Sequence, residues 1–163
     1  MDVSHVAHSA FDGEVREMIM ALKYRGETVH ARALGAMVAA VVAPFRPSVV
    51  TWAPTAAHRR HERGFDHSEL IARHGAAALG VGHRPLLRRV NPERQTGQGR
   101  AVRLTQPSFV ARPVGGWASV CVIDDVITTG ATLAAAARAL VAAGARGVVC
   151  AGCAHVAPLG QEP

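Results

Sequence analysis

The sequence predicts an α/β domain with a mostly parallel central sheet flanked by helices. Three observations carry that expectation. Short apolar, β-branched runs at Ser48–Ala53 (SVVTWA) and Ser119–Ile123 (SVCVI) are bounded by proline or by charge and read as buried strands. Segments with apolar residues at helical spacing lie before and after them. Strands and helices therefore alternate, as they do where parallel strands are joined by helical crossovers.

Taken in order, residues 1–10 are mostly small or polar and read as a frayed end. From Phe11 the pattern turns helical: Val15, Met18, Ile19 and Leu22 recur at helical spacing, Asp12 can cap the start and Gly26 can end it. A second helix is expected from Thr28 to Ala43, stopped by Pro44 and Pro47. After the strand at Ser48–Ala53, the stretch from Pro54 to Asp66 reads as a basic loop carrying His58, Arg59, Arg60, His61 and Arg63. A helix follows over His67–Leu79, then a strand at Pro85–Val90. Residues 91–108 are rich in Gly, Gln and Arg and read as a mobile loop or long hairpin, a length that often marks a functional lid. Ser119–Ile123 is the clearest strand. It runs into Asp124-Asp125, a Thr/Gly turn, and an Ala-rich helix to Ala143. Gly147–Val156 is the last strand, and residues 157–163 read as a disordered tail, so the domain is expected to span residues 11–156.

Composition narrows the function. A chain of 163 residues suits one domain. With 49% hydrophobic and 18% charged residues it is not a disordered segment. Its longest apolar stretch, Leu133–Ala143, is broken by Arg138 and falls short of the ~20 residues of a membrane span. Aromatic residues at 4% are too few for a base-stacking nucleic-acid platform. A net charge of +6 permits a polyanionic partner: nucleic acid, a polyphosphate or a phosphorylated metabolite. Lys23 is the only lysine, a skew toward Arg that suits bidentate phosphate contact but that a GC-rich genome also produces. Three cysteines exclude a disulfide scaffold, and the first residues lack the pattern of a secretory signal, so a cytoplasmic protein is expected.

The sharpest chemical signal is Val120-Cys121-Val122-Ile123-Asp124-Asp125-Val126-Ile127-Thr128-Thr129-Gly130-Ala131-Thr132-Leu133. An apolar strand ends in two carboxylates, and a Thr-Thr-Gly-Ala-Thr turn enters a helix. Ligands of parallel sheets bind at the carboxyl ends of the strands. The helix start offers unpaired N–H groups, Gly130 permits close approach of an oxyanion, and Thr128, Thr129 and Thr132 add hydroxyls. The layout suits a sugar monophosphate, with the phosphate in the turn and the sugar hydroxyls, or Mg2+, on the acids. Twin aspartates turned inward and salt-bridged would defeat this reading. Neither a Walker A loop nor a dinucleotide fingerprint is present.

This run closely resembles the phosphoribosyl-pyrophosphate (PRPP) motif of type I phosphoribosyltransferases. The resemblance implies the fold of that superfamily, with a flexible lid loop. It implies that Asp124 and Asp125 bind the ribose hydroxyls, that Thr128, Thr129, Gly130, Ala131 and Thr132 bind the 5-phosphate, and that Mg2+ binds mainly through the pyrophosphate of the ligand, with Asp124 and Asp125 as further ligands. Two other regions resemble the ComF subgroup. One is Ala53-Pro54-Thr55 with Arg60, Glu62-Arg63-Gly64-Phe65-Asp66-His67 and Leu70-Ile71-Ala72; here His61 stands at the subgroup's first arginine and Asp66-His67 at its Asn-Gln. The other is Phe11-Asp12-Gly13, Val15-Arg16, Ile19 and Leu22-Lys23-Tyr24-Arg25-Gly26.

The basic loop after Ala53 would supply positive charge beside the phosphate turn, and the resemblance assigns pyrophosphate to Thr55, Ala56, Arg59 and Arg60. Arg94, Arg100 and Arg103 would lie on the lid, whose Gln95-Thr96-Gly97 matches the subgroup but whose end is shortened. The four-cysteine zinc segment common in the subgroup is missing, since no cysteine precedes Cys121. Cys150 and Cys153 lie three apart in a strand and should face opposite ways, so no zinc is expected. The implied reaction moves a phosphoribosyl group from PRPP to a nitrogen acceptor with release of pyrophosphate. The acceptor is not legible; Tyr24 and Phe109 are the stacking candidates. The competing reading is a non-catalytic module that binds PRPP, a nucleoside monophosphate or single-stranded DNA, linked by the resemblance to competence and DNA uptake. Type I relatives are often dimers, which makes a homodimer the default.

Overall fold

The computed structural model describes residues 2–90, 107–115 and 119–156. Among these described residues, seven strands and five α-helices follow in the order β1 (Asp2–Ala10), α1 (Gly13–Met20), α2 (His30–Val42), β2 (Val49–Trp52), α3 (Ala57–Arg63), α4 (His67–Leu79), β3 (Gly82–His83), β4 (Leu87–Val90), β5 (Ser108–Ala111), β6 (Ser119–Ile127), α5 (Ala131–Ala142) and β7 (Gly147–His155). A π-helical turn, Ala21–Arg25, extends α1, and a 3-10 turn, Ala43–Phe45, ends α2. Five strands form a parallel sheet in the order β1-β7-β6-β2-β3, while β4 and β5 pair antiparallel with each other.

The sheet buries both faces, as parallel sheets do. On one side Cys121, Ile123, Val149 and Ala151 pack with Leu22 of the π-helical turn and with Leu34, Val38 and Ile71 of α2 and α4. On the other, Val120, Val122 and Val148 pack with Leu133, Ala136 and Leu140 of α5 and with Leu86 and Leu87. The two crossovers that start at the centre run opposite ways. β2 continues through α4 to β3 on one side, and β6 continues through α5 to β7 on the other. Neighbouring β2 and β6 therefore form the topological switch point, where the loops leaving the carboxyl ends part and open a crevice.

Four local expectations are corrected. The sequence predicts a frayed end at residues 1–10, but Asp2–Ala10 form β1, which pairs with β7 from Asp2↔Gly147 to Ala10↔His155, and this long-range pairing orders a segment of low local propensity. The strand through the acidic pair does not stop at Ile123 but runs to Ile127, because β7 is long enough to pair with it as far as Ile127↔His155. The expected loop Pro54–Asp66 contains α3, a short helix with no buried residue and hence no apolar periodicity to betray it. The strand at Pro85–Val90 leaves the central sheet, whose edge is instead the two-residue β3. The lid arginines Arg94, Arg100 and Arg103, and the tail 157–163, lie outside the described residues.

Candidate active site

The crevice is built by two strand ends. Ala53 N–H donates to Ile123 O at 2.9 Å, which extends the β2–β6 register and sets Pro54-Thr55 beside Asp124. After Ile127 the chain turns through Thr128 and Thr129, and Gly130 stands at φ +74°, a left-handed conformation that a side chain would strain. Thr129 Oγ1 accepts from Ala131 N–H at 3.3 Å and closes the turn onto α5. Asp124, Thr128, Gly130, Ala131 and Thr132 line one shallow hollow with Val126, Ile127 and Leu133. Its enclosed space is about 10 Å³, room for one water.

The two aspartates part company. Asp124 is half-buried and makes no ion pair among the described residues. Its Oδ1 accepts from Ser68 Oγ at 3.3 Å and from Asp125 N–H at 3.0 Å. Burial, and then the charge of Asp125, push its carboxyl up to about 7. Asp125 is 5% exposed and turned inward. It pairs with Lys23, and His67 Nε2 stands 3.1 Å from its Oδ2. Burial alone would raise its carboxyl; the His67 contact and the Lys23 charge outweigh burial and hold it far below the usual range. Asp125 is thus turned inward and paired, while Asp124 lines the hollow.

The opposite wall is fastened by Asp66, which sequence reading left at the end of a loop. Its carboxylate accepts from Ser68 and Glu69 N–H at 3.1 and 3.4 Å, capping α4, and from Thr55 N–H and Oγ1 at 2.9 and 3.1 Å. An Asp followed three residues later by Glu69 is a capping-box spacing and could have revealed it. Thr55 and Ala56 are half-buried, while Arg59 and Arg60 stand exposed on α3. Arg60 and His61 also line a separate, wider cleft of about 730 Å³ with Phe65, Glu69 and Leu70.

Arg89, on β4, is a further site residue. Its Nη1 reaches Pro54 O at 3.4 Å, and its guanidinium lies 5.6 Å over the Phe109 ring. Burial lowers its pKa, with the charge of Asp124 opposing and that of Arg59 adding, so it shares the field of the strand ends. Of the stacking candidates, Phe109 carries Arg89 on one face, and Tyr24, 67% exposed, carries Arg63 at 5.4 Å. Cys150 and Cys153 lie in the cores on opposite faces of the sheet, and burial pushes the Cys150 thiol up to about 12. Among the described residues no three His, Cys, Asp or Glu side chains cluster as a metal site, and no helix is long and apolar enough to cross a membrane.

No protein-family model matches the chain, and no curated protein matches it. Among solved structures, the chain is similar to a purine phosphoribosyltransferase from Pyrococcus horikoshii OT3, at 14% identity over 100% of this chain and 97% of that one, with a TM-score of 0.46.

Proposed function

We propose that the chain binds PRPP and transfers its phosphoribosyl group to a nitrogen acceptor, releasing pyrophosphate, as the sequence resemblance to ComF-type phosphoribosyltransferases implies. The observation that carries this reading is the meeting of Asp124 and the Thr128–Thr132 turn at the carboxyl ends of β6 and β2, the switch point of a parallel sheet. The shallow hollow means that a 5-phosphate would rest on the rim of the turn, against the first N–H groups of α5 and the threonine hydroxyls, rather than sink into it. Asp124 would accept from a ribose hydroxyl. Arg89, with Arg59 and Arg60 of α3, would supply positive charge for the pyrophosphate.

With Asp125 committed to Lys23 and His67, the strand-end hollow offers a cation one carboxylate among the described residues, Asp124. That fits Mg2+ arriving on the pyrophosphate, where it would neutralise the leaving group. Catalysis would then rest on alignment of the anomeric carbon with the acceptor and on charge stabilisation by the arginines, with no general base required of the described residues.

The test is thermal. PRPP with Mg2+ at a hundred times Kd should raise Tm by roughly 5 to 11 °C for a chain of this size. Asp124→Asn should abolish the rise, and a rise that survives it refutes the assignment. Pyrophosphate release over a panel of nitrogenous bases then separates an enzyme from a binding module, which would bind without release.

A further inference from the structure

The acidic pair does not work as a pair. We propose that Asp124 alone serves the ligand and that Asp125 is a positioning residue, the anchor that holds the π-helical turn Ala21–Arg25 against the sheet. The ligand half of this division rests on the function proposed above; the anchor half stands without it.

The contacts form a closed ring. Lys23 leaves the turn and pairs with Asp125. Asp125 Oδ2 faces His67 Nε2 at 3.1 Å. His67 Nδ1 accepts from Arg63 Nη1 at 3.1 Å, which leaves the imidazole proton on Nε2, toward the carboxylate. The Arg63 guanidinium covers the Tyr24 ring at 5.4 Å. The ring thus leaves the turn at residue 23 and returns at residue 24, gripping it from two sides. Lys23 is 20% exposed at its side chain, and Asp125 and His67 are each 7% exposed, so the Lys23–Asp125 ion pair and the imidazole beside it are largely withdrawn from water, where losing one partner is costly.

Two independent features agree. Lys23 is the only lysine in a chain that otherwise uses arginine throughout, and it is this ammonium, on its flexible stem, that reaches the buried carboxylate. The turn it sits on is π-helical, closed by Gly26 N–H donating to Ala21 O, a winding rarely stable without tertiary support. None of Lys23, His67 or Asp125 lines the hollow that Asp124 shares with the threonine turn.

The experiment is a double-mutant cycle on the full chain without ligand. Lys23→Met and Asp125→Leu should each lower Tm by roughly 6 to 20 °C, since each strands a buried partner. Lys23→Met combined with Asp125→Leu removes both charges and should melt above either single variant. A double variant that does not melt above both single variants, or does not fold, overturns the anchor. Lys23→Arg, which keeps the charge, should melt above Lys23→Met. Hydrogen exchange should rise at Ala21–Arg25 in Lys23→Met, and unchanged exchange there also overturns the anchor. The ligand half is read with ribose 5-phosphate as the probe. Asp124→Asn should weaken its binding at least tenfold, while Lys23→Met should stay within threefold of wild type. Equal losses in the two variants overturn the division. If the wild type binds no ribose 5-phosphate, the functional reading fails and takes the ligand half with it, and the melting cycle decides the anchor by itself.

Discussion

Replacing Gly35 with alanine sets helix propensity against packing, and the distances decide the sign. Gly35 lies inside α2, where Ala is intrinsically better than Gly by about 1 kcal/mol. Judged on propensity, the substitution should stabilise. But α2 crosses α4 here, with Gly35 against Gly75. A Cβ at residue 35 would stand 2.6 Å from His74 Cβ, 2.7 Å from Gly75 N and 2.9 Å from Ile71 O. The first is almost 1 Å inside the ~3.5 Å at which carbon atoms pack. Two of the three obstacles are backbone of α4, and the third is a Cβ, so no rotamer change relieves the clash. The helices must separate. Overpacking of this kind costs about 1–3 kcal/mol or more, and prising the crossing apart falls at the upper end. Net of propensity, a loss of about 1–2 kcal/mol is expected, or roughly 2 to 8 °C in Tm. Because α4 carries Asp66, His67 and Ser68 to the strand ends, ligand affinity should fall as well. Thermal denaturation followed by circular dichroism reads the effect. A Gly35→Ala chain that melts at or above wild type refutes the reasoning.

Other outcomes follow from the site. Asp66→Ala removes the α4 cap and leaves Thr55 without its acceptor; a loss of about 2–3 kcal/mol is expected, measured by urea unfolding. Arg89→Ala should weaken PRPP binding about 10- to 100-fold and ribose 5-phosphate binding far less, by titration calorimetry, because the lost cation serves the pyrophosphate. Folded Asp124 keeps its proton to about pH 7 while the unfolded chain releases it near ~3.9, so between those values the folded state binds more protons and this residue's contribution to stability falls as pH rises. Asp125 has the opposite sign: its depressed pKa stabilises the fold above the ordinary carboxylate range, and that stability is lost as pH falls below it. Melting temperatures from pH 4 to 8 should therefore show a downward slope in wild type that flattens in Asp124→Asn.

The parts of the fold that were legible are those whose signal is local. β2, α4, α5 and β7 announced themselves through apolar runs, glycine stops and helical spacing, and α4 lies where the sequence predicts it, at His67–Leu79. What was hidden is what long-range contact decides. β1 reads as DVSHVAHSA, without a β-branched run, and is a strand because β7 offers it a full register. α3 is polar on every side, so its spacing says nothing. The motif at Asp124–Thr132 was visible as chemistry, but the separate fates of its two acids were not. Adjacent identical residues carry no mark of which will meet a lysine about a hundred positions earlier in the chain. Arg89 was one arginine among many until β4 set it beside Pro54.

The first strand also has a protective consequence. β7 is buried from Val148 to Ala154 and is flanked by β6 on one side and β1 on the other. Were the opening ten residues trimmed, the most oily ribbon of the sheet would become its rim, with nine residues of main chain offering unmet donors and acceptors to any neighbour. Such a shortened chain should clump on expression even though every site residue is still encoded, so the polar opening stretch that looks expendable is what covers that edge.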